Sequence, residues 1–538
     1  MNFYLQNNPK CLKFLVNTLM MGFNVNKISD ELEGVFFGDV RINRRSEKII
    51  EDLYTNIGNG FTASCGGKAE IKAAYRFFDN NIVDPSKILK PHYEKTLQRI
   101  KEHKIVGFMQ DTTDIDMKHM KDVEGLGVLN DTTRPGCSLH PVVAFTPEQL
   151  CLGTISATFL HRQANELGKK IHNNSREFED KESFRWLQGY KATCEIAEKC
   201  PETLCISIGD RESDIFELML EATKEENKAD LIARAWHNRT IFAEHSEENI
   251  KLIEQNEKLI SENKLLSKNN KKSHKKGAIG SNDEIIKNNK KIIEDNKTII
   301  KKDEAIVNNF LYQLNKGKTL GTIEFTLPEG RGRKSRLVRQ NVKATTVILM
   351  PSAHKKHLPK VSINAVLLEE IDAPSGVEPI TWMFLTTLPI DTFEQIELII
   401  QLYLGRWGVE LFFKVLKSGC GIEELRLESA KRLLSCISIY MIVAWRVLYT
   451  TFLGRTCPNL PCSIIFETEE WQSVYAVTMK AKPPEEPPPL GEFMLLIAKL
   501  GGFQGRKSQG PPGMIVIWTG LQKAYRLAEG WLAHKDYG

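Results

Sequence analysis

The sequence predicts an α/β fold. Two short apolar runs, IVGFMQD (105–111) and TLCISIGD (203–210), each end in an acid. Between them lie two β-like runs, PVVAFT (141–146) and CLGTISATF (151–159), and a stretch of helical period at 183–200. A further helical stretch, SDIFELMLEATKEE, follows the second acid. Strands, helix, strand, helix in that order is the pattern of an α/β core.

Length and composition set the bounds. At 538 residues the chain has room for roughly three or four structural units. With 41% hydrophobic and 26% charged residues it is neither disordered, collagen-like nor a disulfide scaffold. The charge is +5, from 73 basic and 68 acidic residues, too small to establish a nucleic-acid partner by itself. Eleven cysteines are scattered without a C-x-x-C pair, which suits reduced thiols in a cytoplasm. The longest apolar stretch, Leu433 to Leu448, is broken by Ser435, Ser438 and Arg446, so it reads as a buried helix and no membrane is expected. The apolar patch from Cys11 to Phe23 lacks a cleavage site, so no signal peptide is expected.

Further elements follow along the chain. Residues 1–24 read as a leader and 25–100 as helical and basic. FFGDVRINRRSEKIIEDLYTNI carries Arg41, Arg44, Arg45 and Lys48, and KAEIKAAYRFFDN follows it. Asp84 and Pro85 mark a helix start as N-cap and first residue. Residues 245–315 differ in composition: Leu252, Leu259 and Leu266 recur every seven residues, as do Ile285, Ile292, Ile299 and Ile306, with Ile286, Ile293, Ile300 and Val307 beside them. We read an antiparallel coiled-coil hairpin inserted into a host domain, over the competing low-complexity insert, because two heptad registers are hard to keep by chance. β character returns over 318–390, with a basic stretch, RGRKSRLVRQ (331–340), at an expected hairpin tip. One helix is expected over 391–420 and another over 428–453. AKPPEEPPPLGE (481–492) reads as a linker and the last stretch as a small helical unit.

Asp111 and Asp210 stand at strand ends, where open α/β sheets bind ligands. Such acids could share a divalent cation, since hard oxygen ligands suit Mg²⁺ or Mn²⁺. Each taken alone reads rather as a turn or N-cap aspartate, since Asp is common at strand ends. On a helical wheel, Tyr403, Arg406, Glu410, Lys414 and Lys417 fall within an arc of roughly 80° on an otherwise apolar helix. That apolar surface is too wide for a solvated helix, so the stripe is expected to line a cleft. Three acids from distant segments beside a cationic stripe suit two-metal phosphoryl transfer, which needs no covalent nucleophile.

These residues match a family. Y-x2-R-x3-E-x6-K is met by Tyr403, Arg406, Glu410 and Lys417; D-R-E-x-D by Asp210, Arg211, Glu212 and Asp214; D-T-T by Asp111, Thr112 and Thr113. With FGDVRINRR and AYRFFDN, the chain resembles the DDE transposases of the insertion-sequence-four family over nearly its whole length outside the leader and the insert. The resemblance implies an RNase H-like catalytic core (101–235 and 391–455) with an inserted β-rich domain (236–390). It also implies a helical N-terminal DNA-binding domain (25–100), a proline-rich linker region (456–490) and a helical C-terminal dimerisation unit (491–538). By carry-over, Asp111, Asp210 and Glu410 are the catalytic metal ligands for two Mg²⁺ or Mn²⁺ ions. Tyr403, Arg406, Lys414 and Lys417 grip phosphates. Trp382 stacks on a flipped base, although alone it would read as a strand core residue. Arg234 lies near the hairpin end of the cut DNA. Arg331, Arg333, Lys334, Arg336 and Arg339 contact backbone phosphates, where a solvated tip is the plain alternative. Arg41, Arg44 and Arg45 belong to the DNA-binding region.

The family cleaves and rejoins DNA by cut-and-paste transposition, through a nick, a hairpin and strand transfer. Its partners are double-stranded DNA, as inverted repeats and target, and a second protomer; a bacterial, nucleoid-associated cytoplasmic location follows. The alternatives are a non-catalytic DNA-binding inhibitor and a general metal-dependent nuclease. All three acids are present, which argues against decay.

Overall fold

The structure is a computed structural model that describes residues 27–120, 123–162, 177–273, 281–327, 334–506 and 510–537. The expected leader lies outside them. The described chain forms two compact units, one running to Ala233 and resuming at Glu397, the other Arg234–Ile396.

The first unit opens with helices α1 (Val40–Thr55), α2 (Lys68–Asp79) and α3 (Pro85–Lys101). Ile49, Ile50 and Leu53 of α1 and Phe77 and Phe78 of α2 are buried, so each helix turns one apolar stripe inward. Asp84 caps α3 as expected, its carboxylate accepting from the Ser86 and Lys87 amides, with Pro85 where no amide is needed. The sheet follows: β1 (Ile105–Gln110), β2 (Thr113–Asp116), β3 (Gly136–Phe145) and β4 (Cys151–Leu160). After α4 (Phe184–Lys199) come β5 (Leu204–Gly209), α5 (Phe216–Ala222) and β6 (Asp230–Arg234). β3 pairs antiparallel with β4, and also with β1 and β2 in succession. β1 pairs parallel with β5, and β5 parallel with β6. This is the mixed α/β core expected. β5 is almost wholly buried apolar sequence, as a central parallel strand must be. The strand β2, directly after the D-T-T motif, has no expectation in the sequence.

The second unit holds β7 (Ile241–Phe242), α6 (Glu247–Ser273), α7 (Ser281–Val307) and α8 (Phe310–Lys316). It continues with β8 (Thr319–Leu327), β9 (Arg336–Leu349), β10 (Val361–Ile371) and β11 (Thr381–Thr386). Its sheet runs β11-β10-β9, with both β7 and β8 against β9. Arg336 to Gln340, expected at a hairpin tip, lie within β9, with Arg336 opposite Leu327.

α6 and α7 form the antiparallel pair that the heptads predict, but the seam differs from a plain leucine zipper. Asn249, Asn256, Asn263 and Asn270 also recur every seven residues, facing Asp303, Asn296, Asn289 and Asn282. The Asn296 amide donates to Asn256 Oδ1 at 3.0 Å and the Asn289 amide to Asn263 Oδ1 at 3.1 Å. Of the two isoleucine columns, the one through Ile293 turns inward, whereas Ile285, Ile299 and Ile306 are exposed.

The chain then returns through α9 (Phe393–Gly405), α10 (Trp407–Lys414), α11 (Ala430–Thr456), α12 (Thr468–Met479), α13 (Leu490–Leu500) and α14 (Met514–Tyr537). The single helix expected over 391–420 is broken. It stops at Gly405, restarts at Trp407 and ends in a π turn, Val415–Gly419. A wheel of constant pitch therefore misplaces Lys417. The expected linker region 456–490 contains α12, whose Trp471 and Val474 are buried. α11 alone among the described residues is long and apolar enough to cross a membrane, yet it is the core helix, buried along nearly all its length. The Trp445 indole nitrogen donates to the Cys151 carbonyl at 3.0 Å, tying it to β4.

Candidate active site

Parallel pairing makes the site. The register that sets Met109 beside Ile208 carries Asp111 and Asp210 off the ends of β1 and β5 side by side. Each then caps its own turn: Asp111 Oδ1 accepts from the Thr112 amide and Asp210 Oδ1 from the Glu212 amide, both at 2.8 Å. Those are the bonds of ordinary turn aspartates, but each leaves a second carboxylate oxygen uncommitted to the turn.

The third acid arrives on α10, which reaches the sheet closely because Gly408 has no side chain. A Cβ there would stand 2.6 Å from the Phe145 ring. Arg406, at the break between α9 and α10, bridges two of the acids. Its Nη1 donates to Asp111 Oδ2 at 2.8 Å and its Nη2 to Glu410 Oε1 at 2.9 Å. The break, absent from the expected single helix, is where this guanidinium sits.

Charge explains the arrangement. Burial is the first cause that pushes the Asp111 carboxyl up, to about 6, and the charges of Asp210 and Glu410 add to it, while Arg406 opposes them. Arg406 is itself raised, because Asp111 and Glu410 outweigh its burial. The site is thus short of positive charge. Its donors are hard carboxylate oxygens, which fit a divalent cation of the Mg²⁺ type. Among the described residues no three ligand-type side chains close up around one point, because Arg406 holds two of the acids.

A second arginine, Arg185 at the start of α4, is not singled out by the sequence. Its Nε donates to Thr112 Oγ1 at 2.8 Å and its Nη2 to Glu212 at 2.6 Å, so it ties the loop after β1 to the loop after β5. Thr112 Oγ1 also lies 2.9 Å from His140 Nδ1. Burial, then Arg185, pushes that imidazole down to about 3, so it is neutral. An arginine in a first helical turn gives no signal in sequence, since its partners come from two other segments.

The remaining expected residues scatter. Tyr403 is buried, with Arg406 6.0 Å from its ring centre. Lys414 is exposed. Lys417 is engaged within the protein, on the Asp114 carbonyl and at 3.2 Å on Glu423, so it anchors the π turn to β2. Arg41 pairs with Asp39 and Arg45 with Glu70, whereas Arg44 is exposed. In the second unit, Arg234 ends β6. Trp382 stacks on Phe325, centroids 5.7 Å apart and planes 14° from parallel, so one indole face is covered. Arg336 forms a two-pronged ion pair with buried Glu370, and Arg339 pairs with Glu324 at 2.8 Å. Two of the cations expected on DNA are thus paired with carboxylates on neighbouring strands. Lys334 is exposed; Arg331 and Arg333 lie outside the described residues.

Three protein families match the chain. The family described as transposase DDE domain matches residues 211–444, the transposase DNA-binding family 26–83, and the transposase Tn5 dimerisation domain 442–538. The chain belongs to the Tn5-like DDE transposases. The DDE match starts one residue after Asp210 and takes in Glu410. Transposases of this family generally use divalent metal ions, which accords with the donor set at the ends of β1, β5 and α10. Among solved structures the chain is similar to the piggyBac transposase in a synaptic complex with hairpin DNA, at 8% identity and a TM-score of 0.28. The match covers 88% of this chain and 62% of that one, and at that distance it carries no weight here.

Proposed function

We propose that this transposase cuts DNA at the ends of its element and joins the freed ends to target DNA, with Asp111, Asp210 and Glu410 as the catalytic carboxylates. The observation that supports this most directly is the strand register that sets Asp111 beside Asp210, with Arg406 bridging Asp111 to Glu410. Asp111 and Asp210 would hold one cation between the parallel strand ends, and Glu410 would complete the set for a pair of Mg²⁺ or Mn²⁺ ions. Bound there, such ions would make an oxygen nucleophile at neutral pH and stabilise the leaving oxygen.

The chain's own residues do the rest. Arg406 pairs with both Asp111 and Glu410 before DNA arrives, and must surrender at least one of them to admit a cation. Its guanidinium is then free for a phosphate, the planar partner it fits best. Exposed Lys414, one turn beyond Glu410, supplies a second phosphate contact. Arg185 keeps the Asp111 and Asp210 loops in register through Thr112 and Glu212, acting as a positioning residue. Arg44 of α1 contacts DNA in the N-terminal region, and residues 442–538 pair two protomers.

The test is Mg²⁺-dependent nicking of a duplex carrying the element's own ends, with an unrelated duplex as control. Asp111→Asn, Asp210→Asn and Glu410→Gln should each lower nicking by about a hundredfold or more, the scale of losing one charge-stabilising group. DNA binding should persist. Full nicking by all three variants would remove the proposal.

A further inference from the structure

We propose that the distal half of the α6–α7 hairpin is a sequence-indifferent contact for the phosphate backbone of duplex DNA. The inference rests on the reading of the chain as a DNA-processing enzyme, but on a separate set of residues.

The hairpin is divided by charge. Between 264 and 291 the sequence has nine lysines against two acids. The flanking stretches, 247–263 and 292–307, have five lysines against nine acids. A random solvated surface would mix the signs; this one is sorted along its length. At 27 residues each, the helices run about 40 Å, so the basic part begins roughly 25 Å from the hairpin's mount and runs to its far end.

The basic half has free cations. Lys264 and Lys268 on α6, and Lys287, Lys290 and Lys291 on α7, are all exposed. Among the described residues none of the five has an acidic partner, whereas Lys297 in the basal part lies 3.8 Å from Glu294. None lies in the seam, which belongs to the asparagines and to aliphatic side chains. Releasing these lysines for DNA therefore breaks nothing that holds the hairpin together.

What the hairpin lacks selects the ligand. Residues 247–307 contain no arginine and no aromatic residue. Without arginine it lacks the two-pronged reader of guanine in the major groove. Without aromatics it lacks stacking platforms for unpaired bases and the anchors of an interfacial membrane helix. Lysines alone are point charges, suited to phosphates whatever the sequence.

The experiment uses the full chain and a fluorescent duplex of about 40 base pairs with unrelated sequence, followed by anisotropy across a salt series. Replacing all five lysines by glutamine should weaken binding at least about tenfold near 0.1 M salt. It should also flatten the plot of log affinity against log salt by about two to four, at ~0.9 per lost phosphate contact. The five Lys→Arg replacements should restore both. Lys297→Gln, Lys301→Gln and Lys302→Gln together should change neither, and circular dichroism should show the same helix content throughout. Unchanged affinity and slope in the distal variant would overturn the proposal. So would equal losses in the distal and basal variants, or binding that follows the five lysines only on phosphatidylserine vesicles. Asp111→Asn with the hairpin intact should keep the full slope, so failure at the catalytic site and failure at the hairpin read separately.

Discussion

α11 and α7 have the same length, 27 residues, and solve opposite problems. α11 is apolar all round and the first unit is packed about it. Polar groups near it are held by buried partners. Arg99 lies 4.2 Å from the Trp445 ring centre and donates to Glu31, which also meets His92 at 2.6 Å. α7 has one partner helix and the rest is solvent. Its seam alternates aliphatic side chains with asparagine pairs, and a buried polar pair there fixes register at some cost in stability. Around Glu31 the core thus meets buried charge with opposite charge, whereas the hairpin uses uncharged polar layers as its ruler.

The largest test of that contrast is Glu31→Gln. It leaves Arg99 buried without its counter-charge, and should cost about 3–5 kcal/mol at pH 7 by denaturant titration. Arg99 and His92 hold the Glu31 carboxyl well below the usual range against the cost of burial, so its contribution is present at neutral pH. It should fade as pH falls below the ordinary glutamate value of 4.5. Loss of the same stability at pH 7 and pH 3 would break the comparison.

Glu470 of α12 sharpens it from the other side. Burial is the main cause that raises its carboxyl to about 7, with Arg446 of α11 only a partial offset. A raised carboxyl favours the fold below pH 4.5, and that advantage is lost as pH rises through 7. Glu470→Gln should therefore stabilise the chain at pH 8 by roughly 2 kcal/mol and change little at pH 4. A melting temperature that falls at pH 8 would contradict this.

The smallest effect belongs to the hairpin. Asn256→Leu with Asn296→Leu replaces one polar layer by an apolar one. Whole-chain melting should move by less than about 0.5 kcal/mol, since the hairpin packs on itself. Amide exchange within α6 and α7 should slow, and alternative registers or association should become accessible. Faster exchange would show that the asparagines are net stabilisers.

Much of the core was legible, for physical reasons. A buried parallel strand must be an apolar run, so an acid that ends one stands out, as Asp111 and Asp210 do after β1 and β5. Glu410 stood out as an acid within a narrow cationic stripe. The break at Arg406 was not legible, because no proline marks it and Gly408 sits only as a close-packing residue. The contact of Lys417 with the Asp114 carbonyl of β2 is likewise not legible, because an unbroken wheel does not contain the π turn. Arg336 was read as a tip cation because its partner, Glu370, is remote in sequence. The asparagine heptads were in plain view at 249, 256, 263 and 270, but the leucines drew the reading of the seam.

The hairpin leaves and rejoins its sheet at one point. The Ile241 amide donates to the Asn308 carbonyl at 2.9 Å, and the Phe310 amide to that of Arg239 at 3.2 Å. With both ends stapled together, the arm can be trimmed or extended without disturbing its mount. Adding one heptad to each helix would lengthen it by about 10 Å and preserve every pairing below. Reach is therefore an adjustable property of this chain, set by repeat number.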